Sequence, residues 1–102
     1  MSDLDPFDIR GQEQADEERK ASERLAEAND EGDFRWLMAD PRGRRIARRW
    51  LSQAGVWRVS YDRDPTITAF NEGQRNMGLW ILDRVARWTP HQLVLLLGNE
   101  DD

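Results

Sequence analysis

Bond-making chemistry needs a positioned nucleophile, base or metal, and the residues here that could serve are few. His91 is the sole histidine. It follows Pro90, in the first turn of a helix, where a side chain is expected to face solvent. The carboxylate pairs Glu17-Glu18 and Asp101-Asp102 fall in flexible segments, which do not hold two acids in the fixed geometry that acid-base work requires. Cysteine is absent, which removes thiolate nucleophiles, disulfides and every zinc site that needs sulfur, and fits a reducing, intracellular setting. No phosphate-cradling glycine loop, nucleophile elbow or metal-ligand spacing occurs. The expectation is a protein that is not an enzyme, uses no cofactor or metal, and acts by binding.

The residues suited to binding are arginines. Between Pro41 and Ala54 a helix advancing ~100° per residue separates Ile46, Ala47, Trp50, Leu51 and Ala54 on one face from Arg42, Arg44, Arg45, Arg48 and Arg49 on the other. Five guanidinium groups with no acid among them call for an anionic partner: an acidic protein surface, nucleic acid, or the chain's own acidic segment. Four tryptophans stand beside arginine, in Arg35-Trp36, Arg49-Trp50, Trp57-Arg58 and Arg87-Trp88. Base stacking is not favoured, because neighbours on a helix point ~100° apart and tryptophan in so small a domain is expected in the core.

The elements that hold these residues are read from periodicity and punctuation. Each proline follows a residue able to cap a helix: Asp5-Pro6, Asp40-Pro41, Asp64-Pro65 and Thr89-Pro90. The last three pairs predict helix starts in the body, and Gln92 adds a capping box to Thr89. Gln12 to Asn29 is rich in helix formers but has only Leu25 to anchor it, so a frayed helix is expected there. Asn29 to Asp33, with Gly32, predicts a break before a short helix carrying Phe34, Leu37 and Met38. Gly55 is expected to cap the arginine helix, and Val56 to Tyr61 reads as an extended connector. A long central helix should run from about Thr66 or Thr68 to Trp88, with Phe70, Met77, Ile81, Val85 and Trp88 as its main stripe and Leu79 and Leu82 as a second side. Gly73 and Gly78 inside it cost about 1 kcal/mol each relative to alanine, a loss that close approach of another helix would offset. Leu93 to Leu97 predicts a last short helix.

The fold class expected is all-α: a compact bundle of about four helices with a long central helix, plus an acidic N-terminal arm that is frayed helix or disordered. Most large apolar side chains lie between Phe34 and Leu97. Residues 1–33 therefore read as an arm, 34–97 as the helical domain and 98–102 as an acidic tail. The arm holds twelve acids against four bases, the domain five acids against eleven bases, and the tail three acids, so an acidic chain carries a basic body. The first ten residues lack an apolar h-region and do not read as a signal peptide. Met77 to Leu82 and Leu93 to Leu97 are far shorter than the about 20 residues that span a membrane, so no membrane partner is expected.

A resemblance adds context. Phe34-Arg35-Trp36-Leu37-Met38, then Gly43-Arg44-Arg45, Trp50-Leu51, Ala54-Gly55-Val56-Trp57-Arg58, Ser60-Tyr61 and Thr68-Ala69-Phe70-Asn71-Glu72-Gly73-Gln74-Arg75-Asn76-Met77-Gly78-Leu79 follow one another in an order that resembles a short domain of tailed phages. That family is named after a Bordetella phage protein, Bbp nineteen. The resemblance covers about Phe34 to Leu82, and the stretch after Trp88 lies outside it. It implies a phage or prophage gene of the kind found among those for portal, scaffold and capsid. The expected role is a non-enzymatic virion-associated or assembly accessory protein that binds a larger phage component, in the virion or the bacterial host cytoplasm. Two further readings stay open: a host-takeover factor that binds a bacterial protein through the acidic arm, and a nucleic-acid-binding protein that uses the arginine face, which is less favoured. Homo-oligomerisation stays open as well.

Overall fold

The computed structural model describes residues 8–98, which form four helices and, among the described residues, no strand. These are α1 (Ile9–Ala39), α2 (Pro41–Ala54), α3 (Pro65–Trp88) and α4 (Pro90–Gly98). The chain divides into two compact units, Met1–Gly32 and Asp33–Asp102, with the division falling inside α1. The acidic tail after Gly98 and the Asp5-Pro6 pair lie outside the described residues.

In the first unit α1 opens at Asp8, whose Oδ1 accepts from the Gly11 amide at 3.0 Å. Side-chain pairs along the surface support it: Arg19 bonds Asp16 at 2.9 Å, and Gln14 bonds Glu18 at 3.3 Å. None of residues 8–32 is buried, and Leu25 is exposed. The break expected at Asn29 to Asp33 does not occur, because α1 continues through Gly32 and on through Phe34 to Met38. The glycine has no proline beside it and no left-handed backbone, so helix-forming neighbours on both sides carry the chain across its cost of about 1 kcal/mol.

The second unit is a small helical bundle in which α2, α3 and α4 each pack on the other two. Met38, Ala47, Leu51, Val56, Val85 and Leu96 form its core, with Phe34, Leu79, Ile81, Leu82 and Leu93 packed around them. Asp40 and Asp64 cap α2 and α3 as expected, accepting from the amides of Arg42 at 2.8 Å and Thr66 at 2.9 Å, with proline at the first helical position. Gly55 ends α2 with a left-handed φ of 77° and donates its amide to the last turn. Thr89 departs from the expected capping box. Its Oγ1 donates to the Val85 carbonyl at 2.8 Å, so it closes α3 instead of opening α4 through Gln92.

Two glycines set how closely the helices approach. A Cβ at Gly43 would overlap the backbone carbonyl of Leu37, so only glycine lets α2 cross the end of α1. A Cβ at Gly78 would press on Val56 and stand 2.6 Å from the Ala54 Cβ, and α3 therefore meets the end of α2 at that glycine. Gly73 is exposed, with nothing within 4 Å of where its Cβ would be, so packing within the unit does not explain it.

The connector from α2 to α3 has no strand partner and is held by side chains of α3. Thr68 Oγ1 accepts from the Asp62 amide and donates to the Asp62 carbonyl, at 2.8 and 2.9 Å. Asn71 Nδ2 donates to the Ser60 carbonyl at 3.1 Å, and the Ser60 hydroxyl donates to Glu72. Thr68, Asn71 and Glu72, three residues of the signature stretch, thereby hold the loop against the first turns of α3.

Candidate partner-binding surface

The arginines of α2 divide into two groups. The buried face runs through Gly43, Arg44, Ala47 and Leu51, rotated from the face that the apolar pattern marks. The rotation follows from Gly43, where the backbone carbonyl of Leu37 occupies the place a Cβ would take, and it buries Ala47 one turn further on. Arg44 is carried inside: it is 7% exposed, and its Nη1 donates to the Met38 carbonyl at 2.7 Å, satisfying a helix-end acceptor of α1. Arg48 is half-buried and its Nε donates to the Leu96 carbonyl at 3.0 Å, tying α2 to α4. The five arginines therefore do not make one solvent face. Arg44 and Arg48 serve the fold, while Arg42 and Arg49 are exposed and Arg45 is half-buried.

The same rotation brings apolar side chains outward. Trp50 is 47% exposed beside Arg49, and Ile46 one turn earlier is half-buried. Trp36, at the end of α1 within the same unit, is 78% exposed. Trp57 and Trp80 are also exposed, so the tryptophans, expected in the core, are mostly at the surface and only Trp88 is buried. A bundle with so small a core has room for few large rings, and Phe34, Trp80 and Trp88 fill one end with centroids 5.8 and 6.1 Å apart. Arg84 lies over the Trp80 ring at 4.2 Å, a cation–π contact.

Two depressions mark the outer side of α2. One, of about 250 Å³, is lined by Trp36, Leu37, Asp40, Arg42, Gly43 and Ile46. The other, of about 660 Å³ and open to solvent, is lined by Arg45, Arg48, Arg49, Trp50, Ser52 and Gln53. The outcome is a surface of indole rings set among guanidinium groups. Residue patterning marks its arginines but assigns tryptophan to the core; the exposure of Trp50 follows from the rotation of α2, which no local spacing signals, while Trp36 is exposed on the last turns of α1.

His91 is exposed in the first turn of α4. Among the described residues no group of three or more His, Cys, Asp or Glu side chains converges as a metal site, and no helix is long and apolar enough to cross a membrane.

Residues 34–97 match the family model described as Bbp19-like phage protein. The match includes α4, so the stretch after Trp88, expected to lie outside the resemblance, belongs to the shared domain. No curated protein and no solved structure matches the chain.

Proposed function

The chain belongs to the Bbp19-like phage proteins, and from that membership we propose that it is a non-enzymatic accessory protein of the virion or its assembly, docking on an acidic surface of a larger phage component such as portal, scaffold or capsid protein. The observation that carries this reading is the outer side of α2, where Arg42, Arg45 and Arg49 surround Ile46 and Trp50 with Trp36 alongside. Tryptophan and arginine are the residues that most often dominate binding energy, since a ring supplies apolar area while a guanidinium forms paired bonds to carboxylates. Surface tryptophans are costly to leave in water, and a partner that covers them recovers that loss. The protein works in the particle or in the cytoplasm of the infected bacterium. Affinity for candidate phage components, measured with the parent chain and with Trp50→Ala and Arg49→Glu, tests the surface. Equal binding by all three would reject it.

Nucleic acid is the second reading, supported by the exposure of Trp36 and Trp50 near arginine, since stacking needs open ring faces. Duplex binding that neutralises several phosphates weakens with salt at a slope near −0.9 per phosphate. A titration without binding at low salt removes this reading.

A further inference from the structure

The signature stretch on α3 is only half explained by the fold. Thr68, Asn71 and Glu72 hold the connector and Gly78 meets α2, but Phe70, Gly73 and Met77 of the same stretch are exposed. Phe70 is 65% exposed and Met77 60% exposed, although both belong to the stripe that sequence periodicity assigns to the core. Gly73 is exposed in mid-helix, where glycine weakens a helix, and no packing within the unit requires it. The three lie on one seam. Thr66, Phe70, Gly73, Met77, Trp80 and Arg84 recur at alternating steps of four and three residues, the spacing by which one helix lays a continuous edge against another. The side of α3 that packs on α2 runs through Gly78 and Val85 instead.

We propose that this seam is a self-association surface, on which α3 of a second copy of the chain packs antiparallel about a two-fold axis between Gly73 and Met77. The seam is its own complement under that operation. Met77 of each copy enters the space left by Gly73 of the other, Phe70 faces Trp80, and Thr66 faces Arg84. Beside it, exposed Ile67 faces half-buried Ile81. No two like charges oppose each other from Thr66 to Arg84, because Glu72 and Arg75 lie about 120° or more around the helix from the seam. A run of five seam positions without acid or base, Thr66 to Trp80, offers no hold to an acidic or basic partner, whereas its alternation of large and small side chains fits a copy of itself. The contact runs roughly 27 Å along α3, the reach of one helix pair, which places it at the small end of stable interfaces. Association is therefore set by protein concentration, and this surface is separate from the arginine and tryptophan side of α2.

Sedimentation of the full chain from micromolar to millimolar concentration tests the proposal. The mean mass is expected to rise from that of one chain towards that of two. Met77→Glu should weaken dimerisation by about tenfold or more while helical circular dichroism is kept. Gly73→Gln gives a sharper readout: it should raise the unfolding temperature, since open space surrounds the site, and at the same time weaken the dimer by filling the pocket for Met77. The absence of native cysteine allows the direction to be read by thiol crosslinking. Gln74→Cys, beside the two-fold axis, should crosslink to itself, and Thr66→Cys should not, because antiparallel packing puts its two copies at opposite ends. A chain that stays monomeric throughout, or a dimer indifferent to both seam substitutions, overturns the proposal. Self-crosslinking at Thr66→Cys overturns the antiparallel arrangement, and loss of seam exposure only when a phage component is added assigns the seam to that component.

Discussion

Replacing Arg44 with alanine is expected to damage the fold, while the same replacement at Arg49, five residues along the same helix, leaves it nearly untouched. Arg44 is buried and its guanidinium donates to the Met38 carbonyl at 2.7 Å, where α1 ends and α2 begins. Truncation strips that carbonyl of its donor in a place water does not readily reach. A buried acceptor left unsatisfied costs about 1–3 kcal/mol, and a bond from a charged donor lies in the upper part of that range. The aliphatic stem of Arg44 packs as well, so a loss of about 3 kcal/mol is expected. For a domain of this size, with a urea dependence of roughly 1–1.5 kcal/mol per molar, the midpoint falls by about 2–3 M. Arg49 is exposed, and its truncation should stay within about 0.5 kcal/mol. Urea titrations of both variants, followed by helical circular dichroism, read the difference. Equal midpoints would refute the division of the arginines into a folding pair and a surface group.

Gly43→Ala should be more severe than Gly78→Ala in the same assay, since the first drives a Cβ deep into the backbone carbonyl of Leu37 and the second meets the Val56 methyl and the Ala54 Cβ, which give way only if the end of α2 shifts. Overpacking of the second kind costs about 1–3 kcal/mol. Asp64→Ala removes the acceptor for the Thr66 amide and should lower stability by about 1 kcal/mol without changing the helix content of the native state. Deleting residues 1–32 should leave the second unit folded with its stability changed by no more than about 1 kcal/mol, because none of residues 8–32 is buried. The same deletion removes a strongly acidic segment and should raise the salt needed to elute the protein from heparin, which affinity chromatography reads directly.

Helix starts were legible because each is written in two adjacent residues. Asp40-Pro41 and Asp64-Pro65 supply an acceptor and a preset φ, and no distant contact is needed for either to act. Thr89-Pro90 was legible as a boundary but not in its detail, since Thr89 serves the helix before it. Gly32 shows the limit of punctuation: a lone glycine costs too little to break a helix whose flanks favour it. The rotation of α2 could not be read from its apolar stripe, because burial there depends on the carbonyl of Leu37 fitting against Gly43, a contact between two helices. That rotation decides which arginines of α2 are buried and turns Trp50 outward, so residue patterning marks the surface as charge but not as charge beside an aromatic ring. Phe70 and Met77 match the core period along α3 and yet face outward, since periodicity reports that a helix has an apolar side and not what covers it.

Quantitative mass spectrometry of purified mature and immature phage particles is the most direct test of docking through α2. Particles made with the parent chain are expected to contain it at a fixed ratio to portal or capsid protein. Particles made with Arg45→Glu and Arg49→Glu together should lack it, although the altered chain accumulates and keeps its helical spectrum. Absence of the parent chain from both kinds of particle, or undiminished incorporation of the charge-reversed chain, would contradict the proposed role of this surface.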